Sequence, residues 1–361
     1  MSRAAKIFFI CVYALVGIGV VMTYSASAIY AERAYQDPQF LLIRQAIYAV
    51  AGTVLLFMTA TLPSSFWQQN ARGFVLLALL FLGLVFVPGI GHLAGGAQRW
   101  IGLGIVNFQP AEFAKLAVCI YLSDYLSRKL KDIRKGSMLT FIPPLMIVAA
   151  TSVLLLMQPD LGSTAFITLI TGILFFLAGF RLIYVGAAAL VAMPVFYFLV
   201  IRVPYRLSRV TAYLNPWEDP QGSGFQMIQS LLAFGLGGVQ GVGLGQSTQK
   251  LFYLPSGYND FIFAIIGEEL GLIGVLAVLT LYLVIFLCGM RMAAQTQNDF
   301  KRLLISALTL MIVFQSLVNM MVATGLVPTK GLPLPFLSYG GTSLVINLIA
   351  TGLLLSLDRS R

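Results

Sequence analysis

The chain has 361 residues, 59% of them apolar and only 10% charged, with a mean hydropathy of +0.90. Soluble proteins carry about 25% charged residues, so this composition excludes a water-soluble enzyme and implies a polytopic membrane protein. The net charge of +10 then reflects membrane topology and attraction to anionic lipid, and nucleic acid is not an expected partner.

At about 20 apolar residues per crossing, ten helical spans are expected, over 7–28, 40–61, 73–92, 107–126, 138–157, 163–180, 182–202, 260–290, 303–326 and 340–357. The first run is long enough to cross and lacks a small-residue cleavage site, so it reads as a span rather than a removable leader. The expected fold is an all-α polytopic bundle forming a single domain over 1–361, without internal repeats. With both termini cytoplasmic, 14 of the 23 Lys and Arg residues fall on the inner side, as the positive-inside rule requires. The same arrangement puts one large loop, 203–260, outside, between the seventh and eighth spans.

Cys11, Cys119 and Cys288 stand alone inside apolar runs and His92 is the single histidine, so a protein-ligated zinc or haem site is not expected. Before the fourth span, GGAQRWIGLGIVNFQPAEFAK places Arg99 and Trp100 in an interfacial segment and Pro110 in a first helical turn. Glu112 and Lys115 follow, three apart on one helical face. They read either as a neutralising ion pair or as the lining of a polar cavity, since ionisable groups inside a membrane usually face a wet interior. In QPDLG, Asp160 is either the cap of the sixth span or a group that binds a cation or orders the large loop.

The large loop holds Arg206 and Arg209, then NPWEDPQGSG, whose Asn-Pro and Asp-Pro steps force sharp turns. Phe225 to Phe234 is expected as a short amphipathic helix along the membrane surface, with Met227, Ile228, Leu231 and Leu232 on its apolar side. The glycines from Gly235 to Gly245 are either a flexible connector or a backbone cradle for an anionic or bulky ligand. Asp260 follows, at the edge of the apolar run Phe261 to Ile266. It reads equally as a helix cap or as a partly desolvated carboxylate able to accept a proton from a sugar hydroxyl. Glu268 and Glu269 lie about 12 Å deeper on the same helix. Arg44 and Lys115 are the basic residues within spans, so a cross-helix pairing with these acids is expected. Gln315 and Asn319 form a polar stripe on the ninth span. The prolines of VPTKGLPLPFLSYGGTS forbid a helix there and predict a second fixed outer loop, re-entrant where protein shields it.

Five ordered segments, RWIGLGIVNFQPAEFAK, QPDLG, NPWEDPQGSGFQMIQS, NDFIFAIIGEELG and PTKGLPLPFLSYGGTS, resemble the SEDS family of bacterial cell-wall glycosyltransferases over nearly the whole chain. NPWEDPQGSGFQ and PTKGLPLPF look more like its division branch than its elongation branch. The resemblance implies polymerisation of lipid II, an undecaprenyl-pyrophosphate-linked disaccharide peptide, into a nascent glycan strand at the outer face of the bacterial cytoplasmic membrane. It also implies a class B penicillin-binding protein as crosslinking partner, alongside other division or elongation proteins. The family's essential acid, in a segment similar to LPEAHTDFIFA, falls on Asp260 of LPSGYNDFIFA, while Ser256, Gly257, Tyr258 and Asn259 depart from the pattern. Arg206, Arg209, Lys115 and Lys250 are the candidates to meet a departing pyrophosphate, with Glu112 positioning Lys115. Ser338 and Tyr339 complete the expected substrate-binding set, with Arg99, Trp100, Asp160, Glu268 and Glu269 in auxiliary roles. A Mg²⁺ or Mn²⁺ ion is expected only as one held largely through substrate phosphates. A lipid-linked-sugar flippase or a non-catalytic scaffold remains the alternative from another class.

Overall fold

The computed structural model describes residues 1–94, 97–104, 106–180, 186, 190, 197, 204–251, 254, 257–329 and 331–359. Apolar runs fold as helices because only a helix satisfies its own backbone in lipid. The helices of the chain are α1 (Arg3–Tyr35), α2 (Phe40–Thr61), α3 (Ser64–Gln69), α4 (Ala71–Leu84), α5 (Pro110–Arg134), α6 (Ile142–Met157), α7 (Leu161–Leu177), α8 (Pro204–Leu214), α9 (Phe225–Gly237), α10 (Ile262–Ala294), α11 (Asp299–Ala323) and α12 (Gly341–Arg359) among the described residues, and α3 and α8 are not apolar. Among the described residues six helical stretches are long and apolar enough to cross a membrane: α1, α2, α6 with the turn before it, α10, α11 and α12. The seventh expected span, 182–202, lies outside the described residues apart from Gly186, Leu190 and Tyr197.

The chain is mostly helical rather than all-α. The third expected span stops at Leu84, and Pro88, Gly89 and Gly91 break the helical run. There follows an antiparallel three-stranded sheet, β1 (Gly91–Ala94), β2 (Ala97–Leu103) and β3 (Val106–Phe108), in the order β1-β2-β3. His92 pairs with Trp100, and Ile101 with Phe108.

The two ends of the bundle are fixed by side-chain ties. The Ser2 backbone N–H donates to Asp358 Oδ2 at 2.7 Å, so α1 begins where α12 ends. Ser356 Oγ donates to the Leu62 carbonyl at 2.9 Å, bringing the α2–α3 turn to that same end. At the other end Thr342 Oγ1 accepts from the Gln109 N–H and donates to the Asn107 carbonyl, each at 3.1 Å. The sheet, the start of α5, the start of α10 and the start of α12 therefore gather opposite the termini.

Two features depart from the expected pattern for physical reasons. In α9 the buried positions are Met227, Ile228, Ser230, Ala233 and Gly237, while Leu231 and Leu232 face outward. Lipid is as apolar as leucine, so Leu231 and Leu232 lose nothing by facing it, and the small residues Ser230, Ala233 and Gly237 let the other face pack closely. Ser230 Oγ donates to the Ala323 carbonyl at 2.6 Å, which satisfies its hydroxyl at that seam.

The other is a break in α10 at Gly271, whose φ of 64° and ψ of −163° are non-helical. The backbone groups released there are met by the glycine-rich segment. Val242 and Gly243 donate their N–H groups to the Glu268 and Glu269 carbonyls, both at 3.0 Å, and Leu272 and Ile273 donate to Gly238 and Val239. Gly241, at φ 79°, packs so closely that a Cβ would stand 2.2 Å from the Glu269 carbonyl oxygen. The glycine run is thus a clasp on a kinked helix, which neither of its two sequence readings described.

Candidate functional site

Asp260 lies in the turn just before α10, half-buried. Its Oδ2 is 3.4 Å from the place a Cβ on Gly331 would occupy, so the proline-rich loop runs directly against the carboxylate. Among the described residues no donor hydrogen-bonds this carboxylate and no cation pairs with it. Burial pushes its pKa up to about 6, and the positive charges of Arg209 and then Arg99 oppose that rise. A carboxyl group with that pKa is ionised at neutral pH yet basic enough to take a proton.

The surrounding frame holds this turn in place through amides. Asn319 Nδ2 donates to the Asp260 carbonyl at 2.9 Å and to the Leu332 carbonyl at 2.8 Å. One turn earlier on α11, Gln315 Nε2 donates to the Pro333 carbonyl at 2.9 Å, while its Oε1 accepts from Lys115 Nζ at 2.6 Å. Lys115 also pairs with Glu112 at 2.8 Å, both side chains being only 2% exposed, and sits 5.3 Å from the Phe166 ring centre. The polar stripe of α11 thereby links an ion pair on α5 to the loop beside Asp260. Proline leaves that loop without a helical ladder, so its carbonyls depend on such donors.

Ser338 is buried and fully engaged: its Oγ donates to the Asn259 carbonyl at 2.6 Å and accepts from the Leu334 N–H at 2.7 Å. These two bonds fasten the Asp260 turn to the proline-rich loop. Tyr339 donates its N–H to the Tyr258 carbonyl at 3.1 Å, and its ring lies 6.0 Å from that of Tyr258. Arg44 lies over the Phe40 ring at 4.7 Å, with its positive charge acting on the Tyr339 hydroxyl.

Arg99, on β2, donates Nε to the Gln158 carbonyl at 3.0 Å and Nη2 to the Pro159 carbonyl at 2.5 Å, tying the sheet to the turn before α7. Trp100 is its neighbour in that strand, half-buried. Asp160 caps α7, accepting from the Ser163 N–H at 3.0 Å and from Ser163 Oγ at 2.7 Å. Arg209, on α8, donates to the Thr329 carbonyl at 3.2 Å. Arg206 falls on α8, but its side chain lies outside the described residues.

One expectation is corrected. Glu268 and Glu269 do not pair across helices with Arg44 or Lys115: Glu112 and Gln315 take Lys115, and Arg44 lies over the Phe40 ring. Their partners come instead from the segment before the α10 turn and, for Glu269, also from Ser25 of α1. Glu268 accepts from Ser247 Oγ, from the Thr248 N–H and hydroxyl, each at 2.8 Å, and from the Gln249 N–H at 3.4 Å. Glu269 accepts from Ser25 Oγ at 2.7 Å and pairs with Lys250 at 3.2 Å. Lys250, whose other bond is to the Gly245 carbonyl at 2.5 Å, belongs to the clasp. Sequence reasoning missed this pair because it sought basic partners only within spans, whereas Lys250 reaches in from the loop.

No group of three or more His, Cys, Asp and Glu side chains capable of holding a metal occurs among the described residues. The described residues therefore do not form a protein cage for Mg²⁺ or Mn²⁺.

Comparison with known proteins supplies the family. The profile of the FtsW/RodA/SpoVE family, described as cell cycle proteins, matches residues 5–361. The chain is 44% identical over 358 residues to the probable peptidoglycan glycosyltransferase FtsW of Geobacter sulfurreducens, covering 99% of this chain and 96% of that one. It is 41% identical over 348 residues to the stage V sporulation protein E of Bacillus subtilis, covering 96% and 94%. Among solved structures, a chain of a peptidoglycan synthase complex that coordinates polymerisation and crosslinking superposes with a TM-score of 0.80 at 31% identity, covering 98% and 97%. The rod-shape-determining protein RodA of Thermus thermophilus gives 0.72 at 27% identity, covering 98% and 96%. On this coverage and identity, the chain belongs to the FtsW/RodA/SpoVE family.

Proposed function

We propose that this chain polymerises lipid II into glycan strands at the outer face of the bacterial cytoplasmic membrane, with Asp260 as general base. The observation that carries the assignment is a carboxylate basic enough to accept a proton, unpaired among the described residues, within a frame of amides that fixes its backbone. Relatives 44% identical over almost the whole chain bear the name peptidoglycan glycosyltransferase, which supports the reaction class.

In this reading Asp260 takes the proton from the acceptor's 4-hydroxyl as that oxygen attacks the anomeric carbon of the donor. The new glycosidic bond forms as the bond to the pyrophosphate oxygen breaks, and undecaprenyl pyrophosphate leaves with inversion. Negative charge grows on the departing diphosphate, and Arg209 and Arg99 supply fixed positive charge at this end of the bundle. Lys115 acts at one remove, since Glu112 and Gln315 occupy its ammonium.

Ten crossings, with both termini cytoplasmic and the 203–260 segment outside, fit the shared end of Ser2 and Asp358, which requires an even number of crossings. The likeness to a chain of a peptidoglycan synthase complex supports a class B penicillin-binding protein as partner. The division branch is favoured by the FtsW and sporulation names of the relatives at 41–44% identity.

The test gives purified protein, alone and with its transpeptidase partner, lipid II in detergent and in liposomes. Glycan polymer from the native chain and none from Asp260→Ala, with both proteins folded, is the result expected. Movement of lipid II across liposomes without polymer would replace this reading with a flippase, and polymer made only by the partner would replace it with a scaffold.

A further inference from the structure

A second polar site lies at the opposite end of the bundle and takes no part in the chemistry above. Ser65, Gln68 and Gln69 of the α3 region, Arg72 at the start of α4, and Asp124 and Arg128 of α5 line a cavity of about 360 Å³. That volume falls within the range of small-molecule sites, about 300–1,000 Å³. Asp124 lies twelve residues along α5 from Glu112, about 18 Å from the ion pair beneath Asp260. The Ser356 tie to Leu62 puts this cavity at the end that carries the termini.

Charge in the cavity is only half matched. Asp124, 2% exposed, pairs with Arg128, and Gln68 lies beside it in the cavity lining. Arg72 is exposed and makes no hydrogen bond or ion pair with any described residue, adding its charge to that of Arg128. Two guanidinium groups against one carboxylate leave one net positive charge, with amide and hydroxyl donors around it. That set matches a monoanionic phosphodiester, which guanidinium recognises through paired N–H groups.

The helix carrying Arg72 says where the rest of the ligand runs. Leu76 and Leu80 lie four and eight residues beyond Arg72, on the same helical face, and are 62% and 56% exposed. A cationic head at the start of an outward apolar stripe is the profile of a group that meets both a phosphate and its acyl chains. Basic pockets at the cytoplasmic ends of membrane helices bind anionic headgroups in this way.

We propose that the cavity between Arg72 and Arg128 binds the phosphodiester headgroup of an anionic membrane lipid, with an acyl chain along Leu76 and Leu80. The site would couple lipid composition at one membrane face to the seating of α4 and α5.

The experiment uses the full chain in nanodiscs of phosphatidylcholine alone or phosphatidylcholine mixed with phosphatidylglycerol. It reads the thermal midpoint and, by native mass spectrometry, the lipid retained after detergent release. Native protein should gain several degrees with phosphatidylglycerol and retain it about tenfold more than Arg72→Gln does. The exposed pair Lys131→Gln/Lys135→Gln, outside the cavity, should keep the native gain, and Arg128→Lys, which keeps the charge beside Asp124, should show partial retention. An equal loss in the Lys131/Lys135 variant would reduce the effect to diffuse surface charge and overturn the site. So would an unchanged gain in Arg72→Gln. Inorganic phosphate giving the same stabilisation in pure phosphatidylcholine would show that the cavity takes a free anion, and would overturn the lipid assignment.

Discussion

The side-chain amide of Asn319 lies 2.9 Å from the backbone carbonyl oxygen of Asp260, and the same nitrogen reaches the Leu332 carbonyl at 2.8 Å. One group on α11 thus fixes the turn that carries the acid to the loop that walls it. Replacing it with leucine leaves two carbonyls without their donor, at a cost of about 1–3 kcal/mol for each one that water cannot reach. Asn319→Leu should lower turnover about 10- to 100-fold while lipid II still binds, and a kcat that stays native would remove this role. Thermal unfolding measured in parallel separates a loosened site from a lost fold.

Lys115 and Glu112 form the buried pair that Gln315 connects to the same loop. Removing one member of such a pair leaves an uncompensated charge, typically costing about 3–5 kcal/mol, whereas removing both can be close to neutral. Lys115→Met should therefore unfold at a clearly lower temperature than native protein, and Lys115→Met/Glu112→Leu should recover much of the loss. A double variant no better than the single one would contradict the pairing.

The pH dependence follows from the carboxyl group of Asp260, raised to about 6 by burial against the opposing pull of Arg209 and Arg99. A base works only when ionised, so the rate at low substrate should be level above about pH 7 and fall tenfold per unit well below 6. For stability the sign is opposite. The folded chain holds this proton more tightly than the unfolded one, so the group favours the fold below its ordinary pKa of 3.8. That contribution fades as pH rises through about 6. A rate limb near pH 4 would place the base elsewhere.

The clasp on α10 makes a fourth expectation. Gly241 needs a left-handed backbone and has no room for a Cβ against the Glu269 carbonyl, and Glu268 gathers Ser247, Thr248 and Gln249 around its buried carboxylate. Gly241→Ala should open the 238–250 segment to limited proteolysis well before the bundle unfolds, and Glu268→Ala should do so more strongly than Glu268→Gln. Equal resistance in all three proteins would mean that the segment does not depend on these contacts.

Much of this was legible from residue order alone, for reasons that differ from site to site. The spans could be read because apolar length is what a bilayer demands, and Asp260 because an acid at the brink of an apolar run is conspicuous. The stripe of Gln315 and Asn319 could be seen as a stripe. What it holds could not, since its partners are backbone carbonyls of a loop whose path no periodicity encodes. The sheet of 91–108 was hidden by its glycines, which signal irregular backbone as readily as paired strands. The outward leucines of α9 reverse a rule learned from water, and Lys250 meets Glu269 from the loop, where no span length or periodicity signals a partner.

The most direct measurement of the central claim is the turnover of Asp260→Asn with lipid II, set beside its affinity for the same substrate. The variant keeps size and shape and removes only the ability to take a proton. The expected result is a fall in kcat of about 10²- to 10⁴-fold with lipid II binding within a few-fold of native. Turnover within tenfold of native, in a folded protein that binds substrate normally, would contradict it.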